Sequence, residues 1–369
     1  MDIPYVRGQV AKQAHVSLPE GTVEEEYARN GFFGRYAHLY RRHAPVGWSR
    51  LEGPLRPRAY DTRKAQLPGG ADWTAARVPL LGNGDVRLSL AGVDAPTPWL
   101  FRNADADELL FVHLGAGRLE TDFGSLAYGP GDYLLLPRGV AYRLCPSSPS
   151  RLLVMEASSE ITLPDKGMLG QHALFDPAVL EVPSPVEGST LQPGPTGEFE
   201  VRIQRCGELS HAFYRHNPHD VLGWKGTLAP LRLNVRDIRP VSSDRYHLPP
   251  SAHTTFLMRN AVVCSFLPRP LENGDPAALK VPFFHSNIDF DEVLFYHSGE
   301  FFSRPGMAPG LLTFHPQGIQ HGPQPGASER AGRATRTEEV AVMLDTRNPL
   351  HPTPFANATE LTDYWRSWQ

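Results

Sequence analysis

The chain of 369 residues carries 36 Lys and Arg against 40 Asp and Glu, a formal net charge of −4, and includes 36 prolines and 33 glycines. It has no long basic run to support phosphate-backbone binding, and no apolar stretch near the roughly 18 residues of a membrane span, so neither nucleic acid nor membrane is an expected partner. Each proline inside a helix costs about 3 kcal/mol; the composition therefore disfavours a helical protein and favours short strands joined by turns, and the length points to two domains.

Residues 1–74 read as a polar lead-in with one helix, opened by the box Thr22-x-x-Glu25 and stopped at Gly31. The first residues show no signal segment. Cys145, Cys206 and Cys264 are odd in number, widely spaced and mostly in apolar contexts, so they read as buried free thiols of a cytoplasmic protein. Over residues 75–182 short apolar runs cut by Gly and Pro (86–90, 108–114, 132–136, 151–157) predict strands of a first domain. The almost apolar-free stretch 183–197 reads as a linker.

Strand-like runs resume across a second domain at 198–350: 199–205, 254–258, 261–267, 279–285, 292–297, 311–314 and 339–344. The polar segment 324–338 reads as a surface loop, with a lid over the site as the alternative. Residues 351–369 close the chain with a helix after Asn357, Glu360 completing its capping box. Leu361, Tyr364, Trp365 and Trp368 share one side of it as a packing face, not a site.

The two halves repeat each other. Residues 101–115 (FRNADADELLFVHLG) and 285–299 (HSNIDFDEVLFYHSG) share the pattern x-x-Asn-x-Asp-x-Asp-Glu-x-Leu-Phe-x-His-x-Gly. Downstream, Gly131-x5-Pro137-x-Gly139-x2-Tyr142 recurs as Gly310-x5-Pro316-x-Gly318-x2-His321, and Val154-Met155 as Val342-Met343. Such ordered matches describe a tandem duplication of one all-β unit. Its His-x-Asn-x4-Glu-x6-Gly and Gly-x5-Pro-x-Gly-x2-His spacings resemble the paired motifs of the cupin superfamily, with Asn287 in place of the usual second histidine. The resemblance implies a mainly β fold of two tandem cupin barrels (double-stranded β-helix, jelly-roll) with peripheral helices.

The copies differ in metal-binding capacity. His285, Glu292 and His321 offer two imidazoles and a carboxylate, leaving positions open for substrate and oxygen, which suits non-haem Fe(II). In the first copy the same positions are Phe101, Glu108 and Tyr142, so that barrel is expected to be metal-free. Asp291 competes with Glu292 as ligand; the spacing from Glu292 to Gly299 matches the cupin motif and favours Glu292. His297 has a first-copy twin, His113, and reads as structural.

A narrower resemblance covers the C-terminal 150 residues. His247-x-x-Pro250-Ser251, Pro282-Phe-Phe-His285-x-Asn287 and Leu312-Thr-Phe-His315-x5-His321-Gly322-Pro323 look like the homogentisate 1,2-dioxygenase family, its short bacterial members in particular. That resemblance implies Fe(II) held by His285, Glu292 and His321, with His247 as acid/base at the substrate hydroxyl and His315 lining the substrate pocket. It also implies a small aromatic substrate, O2 as co-substrate, and a homo-oligomer. The expected activity is ring cleavage of homogentisate or a related hydroquinone or phenol. The alternatives are another metallocupin enzyme, an isomerase using Mn or Zn, and a non-catalytic ligand-binding bicupin.

Three departures bear on the substrate. Glu292 lies seven residues after His285 rather than six, Ser286 replaces the family's arginine, and Phe301 replaces a tyrosine that contacts the substrate carboxylate. Arg304, Tyr296 and Lys225 are the residues that could supply the missing contact.

Overall fold

The computed structural model describes residues 4–185, 189–272, 274–301 and 303–369. Two double-sheet barrels account for most of them. In the first, a seven-stranded sheet runs Leu231–Asn234, Asp132–Leu136, Asp107–Leu114, Ser150–Ala157, Val86–Val93, Arg77–Gly82, His351–Pro352. It packs on a six-stranded sheet in the order Glu208–Tyr214, Phe199–Arg205, Leu100–Asn103, Ala141–Pro146, Gly117–Thr121, Gly124–Tyr128. The second barrel has a six-stranded sheet in the order Thr254–Met258, Ala261–Phe266, Val340–Thr346, Asp291–Ser298, Leu311–His315, Arg58–Asp61. A three-stranded sheet (Phe284–Asn287, Val23–Ala28, Tyr36–Arg41) completes it. This is the duplicated jelly-roll that the repeat predicts.

Successive side chains of a strand point to opposite faces, and here both faces are used. In Asp107–Leu114, Leu110 and Val112 enter the first barrel beside Phe101, Leu119, Tyr142 and Leu144. Leu109 and Phe111 face the other way, joining Tyr133, Leu153 and Met155 against Val263, Val293, Phe295, Phe314 and Leu344 of the second barrel. The two large sheets thus pack back to back, and a sheet buried on both faces reads as continuous apolar runs. At about 1.5–3 kcal/mol per fully buried large apolar side chain, this shared core joins the barrels firmly. The repeated Pro-x-Gly turns place Gly139 at φ +87° and Gly318 at φ +92°, a region that favours glycine.

The lead-in helix is not formed. Residues Val23–Ala28 are a strand, hydrogen-bonded in parallel to Phe284–Asn287 and antiparallel to Tyr36–Arg41. The box Thr22-x-x-Glu25 caps nothing, because Glu25 is fully buried against Arg41; tertiary pairing outweighs a local capping preference. The C-terminal helix also differs. Thr353 caps a short helix at Pro354–Ala358, a 3-10 turn follows at Tyr364–Trp368, and Glu360 is held by Arg56 and Arg58 at 2.9 Å each. The predicted 279–285 strand is confined to Phe284–Asn287.

The expected domain boundaries need correction. Phe199–Arg205 pairs in parallel with Leu100–Asn103, and Leu231–Asn234 pairs with Asp132–Leu136, so residues 199–234 complete the first barrel. Conversely, Arg58–Asp61 pairs with Leu311–His315 and belongs to the second. The linker stretch is anchored, with Ser189 and Thr190 hydrogen-bonded to the Glu120 carboxylate and Leu191 buried; residues 186–188 lie outside the described residues. Within 324–338, Ala327–Arg333 forms a helix whose Ala327 and Ala331 pack on Val281. Of the three thiols, Cys264 is buried, Cys145 half-buried and Cys206 exposed, the last in a turn at φ +53°.

His113 and His297, twins in the repeat, meet where the barrels join, their Nδ1 atoms 2.9 Å apart. Burial pushes both imidazoles from the ordinary 6.5 down to about 4, so they pair as neutral rings. Unfolded, they bind protons near 6.5; folded, only near 4. The unfolded chain therefore takes up more protons within this window, and stability should fall as pH drops from about 6.5 towards 4. Melting temperatures of wild type and His297→Gln across that range test this: the variant should lose less on acidification, and equal losses would refute the assignment.

Candidate metal centre

The site is assembled from three strands and one turn. In Asp291–Ser298 the pleat sends Glu292, Leu294 and Tyr296 into the second barrel, while Val293 and Phe295 enter the inter-barrel core. Asp291 points away from the barrel interior and accepts the backbone N–H groups of Gln317 (2.8 Å) and Leu350 (2.7 Å). Its twin Asp107 does the same for Arg138 (2.9 Å) and Ile161 (3.0 Å). The acid pair is thereby divided: the aspartate is structural in both copies, and the glutamate faces inward.

His285 and His321 exchange two backbone hydrogen bonds, 2.9 and 3.1 Å, which set their rings side by side with centroids 4.2 Å apart. The His285 Nδ1–H donates to the Phe283 carbonyl (2.9 Å), turning Nε2 inward. Glu292 Oε2 lies 3.5 Å from His285 Nε2 and 3.3 Å from His321 Nε2. The three donor atoms fall within 4.8 Å of one another, and all three residues are buried. Asn287 contributes nothing to this group; its Oδ1 accepts the Gly31 N–H at 3.2 Å.

His285 Nε2 and both ring nitrogens of His321 make no hydrogen bond among the described residues. Buried polar atoms left so cost about 1–3 kcal/mol each. Burial alone would raise the Glu292 carboxyl, but the imidazoles of His321, His285 and His315 hold it well below the usual carboxylate range. Two inward nitrogens and one ionised oxygen with no other partner are a donor set that a divalent transition metal satisfies. The residues fit such an ion.

His315 has a different place from the one expected. It is fully buried behind Glu292, its Nδ1 2.7 Å from Glu292 Oε1 and its Nε2 3.0 Å from the Tyr364 hydroxyl. Burial, with Arg304 and His321 nearby, pushes it down to about 3. Both nitrogens are engaged and the ring does not line the cavity, so His315 orients the carboxylate instead of touching substrate. The C-terminal aromatic stripe is accordingly more than packing: Tyr364 holds His315, and the Trp368 indole N–H donates to the Gly322 carbonyl (3.2 Å) beside His321.

A cavity opens onto His285 and Glu292. Phe266, Phe283, Leu294, Ala341 and Met343 give it apolar walls; His247, Arg269, Tyr296, Arg304 and Glu339 give it polar points. His247 is buried, with Nδ1 3.9 Å from Glu272. Burial lowers its affinity for a proton despite Glu272, so the imidazole is neutral near pH 7 and free to accept one. Phe301 does not line the cavity; it packs edge-on beneath Tyr296, ring centroids 4.7 Å apart. Lys225 is exposed elsewhere. Arg269 was not foreseen. It is 4% exposed, 3.9 Å from Glu339, and its Nη1 has no hydrogen bond among the described residues. A lone arginine within the apolar run 264–271 was the available signal.

In the first barrel an arginine meets the equivalent glutamate, Glu108. Arg77 Nη1 lies 2.6 Å from Glu108 and its Nη2 donates to the Tyr142 hydroxyl (2.6 Å). That hydroxyl donates in turn to Glu108 (2.8 Å), and the guanidinium sits over the rings of Trp73 and Phe101 at 4.5 and 4.7 Å.

Comparison with known proteins adds a lineage. Residues 94–235 match the family model described as homogentisate 1,2-dioxygenase N-terminal. A protein of Saccharolobus solfataricus, provisionally named a dioxygenase, is 32% identical over 98% of both chains. The homogentisate 1,2-dioxygenase of Rhizobium leguminosarum bv. trifolii is 27% identical over 73% of this chain, which spans 62% of that protein's length. Among solved structures, a cupin 2 conserved barrel domain protein from Leptotrichia buccalis covers 74% of this chain and 88% of its own at 10% identity and a TM-score of 0.32.

Removing a group that orients a metal ligand typically costs 10–100-fold in metal affinity. His315→Leu should therefore weaken metal binding by about that factor, and Tyr364→Phe by less, in titrations of protein that circular dichroism shows to be folded. Unchanged affinity in His315→Leu would remove it from the centre.

Proposed function

Because this chain belongs to the homogentisate 1,2-dioxygenase family, we propose that it is a cupin-type ring-cleaving dioxygenase, using Fe(II) and O2 on homogentisate or a related hydroquinone. The observation that carries this reading is the buried group His285, Glu292 and His321, of which His285 and Glu292 line a cavity that neutral His247 also lines. Iron(II), when bound, supplies Lewis acidity towards a phenolic oxygen and a path for electrons between ring and dioxygen.

The remaining chemistry falls to the chain. His247 accepts the proton that the phenolic hydroxyl loses, within the 2.6–3.2 Å such a transfer requires once substrate is in place. The apolar walls formed by Phe266, Phe283, Leu294 and Met343 hold the ring and exclude water. Arg269 and Arg304 place two guanidinium groups in the same cavity as the carboxylates of Glu292 and Glu339. Arg304 is committed to the Gly322 carbonyl through Nη1 (3.1 Å), whereas Arg269 Nη1 makes no hydrogen bond among the described residues and lies 3.9 Å from Glu339. We assign to Arg269 the recognition of an anionic substituent, in place of the hydroxyl that Phe301 lacks.

Oxygen uptake by iron-loaded protein with homogentisate, gentisate and plain hydroquinone tests the reading. Uptake with at least one is expected; none with any of the three, or turnover without oxygen, would overturn it. Arg269→Met should raise KM for a carboxylated substrate about tenfold or more, the loss of one charge-assisted hydrogen bond, and leave KM for plain hydroquinone nearly unchanged. Equal effects on both would show that Arg269 does not read the charge.

A further inference from the structure

We propose that the N-terminal hairpin holds a second divalent-cation site, formed by His15, Glu24 and His38 and suited to zinc. In Val23–Ala28 the pleat separates the three consecutive glutamates. Glu25 turns to Arg41, while Glu24 and Glu26 share the opposite face. His38, directly across the ladder from Glu26, joins them there, and His15 arrives from the preceding loop at φ +62°.

The donor geometry is that of a chelate. The Nδ1 atoms of both imidazoles converge on Glu24 Oε1, His38 at 3.4 Å and His15 in closer contact. The two rings stand nearly perpendicular, centroids 5.0 Å apart. One ligand atom from each of the three residues lies within 4.8 Å of the others. The Glu24 side chain is completely buried, and His38 Nδ1 has no hydrogen bond among the described residues. Behind the first imidazole, Glu26 Oε2 faces His15 Nε2 at 3.9 Å. A metal-ligating histidine characteristically gives its other N–H to such a carboxylate, which fixes the tautomer.

Charge points the same way. Two buried carboxylates, Glu24 and Glu26, face two imidazoles, and no Lys or Arg among the described residues forms an ion pair with either. A divalent cation balances them. Two nitrogens and one oxygen, with a fourth position left to water, match the ligand preferences of zinc.

The site would act as a clasp. The strand that carries Glu24 is paired with the one that carries His285, Glu26 opposite His285 in register. The His15 ring stacks on Phe283, centroids 4.5 Å apart, and Phe283 lines the catalytic cavity. A cation there would fix one wall of that cavity through the hairpin.

Protein stripped with EDTA and titrated with ZnCl2 tests the proposal. Wild type should bind two equivalents by mass spectrometry, and a His285→Ala, His321→Ala double variant one. His38→Ala in that background should abolish the remaining equivalent and the rise in melting temperature that zinc produces. Should His38→Ala fail to fold, titration of the His285→Ala, His321→Ala protein decides alone: one saturable equivalent supports the clasp, none overturns it. Zinc content that His38→Ala leaves unchanged also overturns it.

Discussion

Each barrel buries a glutamate at the same point of the same repeat, and a buried carboxylate must have a cation. Left unpaired, its desolvation would cost several kcal/mol. In the first barrel Arg77 supplies the charge and Trp73, Phe101 and Tyr142 close around it. In the second, His285 and His321 stand where Phe101 and Tyr142 stand in the first, with inward nitrogens that have no hydrogen-bond partner among the described residues. The duplication has diverged around a fixed carboxylate: one copy satisfies it with its own arginine, the other surrounds it with donor atoms that a metal ion would satisfy.

The pleat makes that divergence possible without disturbing the fold. Alternate residues of the central strands belong to different environments, so Glu292, Leu294 and Tyr296 can define a cavity while Val293 and Phe295 keep the core between the barrels. Asp107 and Asp291, on the other face, each tie two backbone N–H groups in both copies. One face could change its chemistry because the other face continued to carry the packing.

The duplication and the inward glutamate were legible because they rest on spacing, which the sequence preserves directly. Glu292 could be distinguished from Asp291 only weakly, since the choice depends on which face of the strand meets the barrel interior. The N-terminal strand was misread because Thr22-x-x-Glu25 is a local signal, whereas pairing with Phe284–Asn287 joins residues about 260 positions apart. Arg77 and Arg269 were invisible for a related reason: a single arginine has no periodicity, and its meaning lies in the distant carboxylate it meets. His315 was expected to line the substrate pocket, but its two partners, the Glu292 carboxylate and the Tyr364 hydroxyl, turn it away from the cavity.

An open cavity has a mechanical consequence. The first barrel fills its interior with Trp73, Tyr128, Phe101 and Tyr142, and close-packed side chains make such a barrel self-supporting. The second gives up part of that filling around the cavity beside His285 and Glu292, and so loses the dispersion contacts that would have lined it. What it lacks inside is added from outside. Arg58–Asp61 extends its large sheet, the hairpin of Val23–Ala28 and Tyr36–Arg41 extends the strand bearing His285, and Tyr364 and Trp368 brace His315 and Gly322. Both ends of the chain therefore converge on the second barrel, because a barrel with a cavity has to be held in shape by elements that do not enter it.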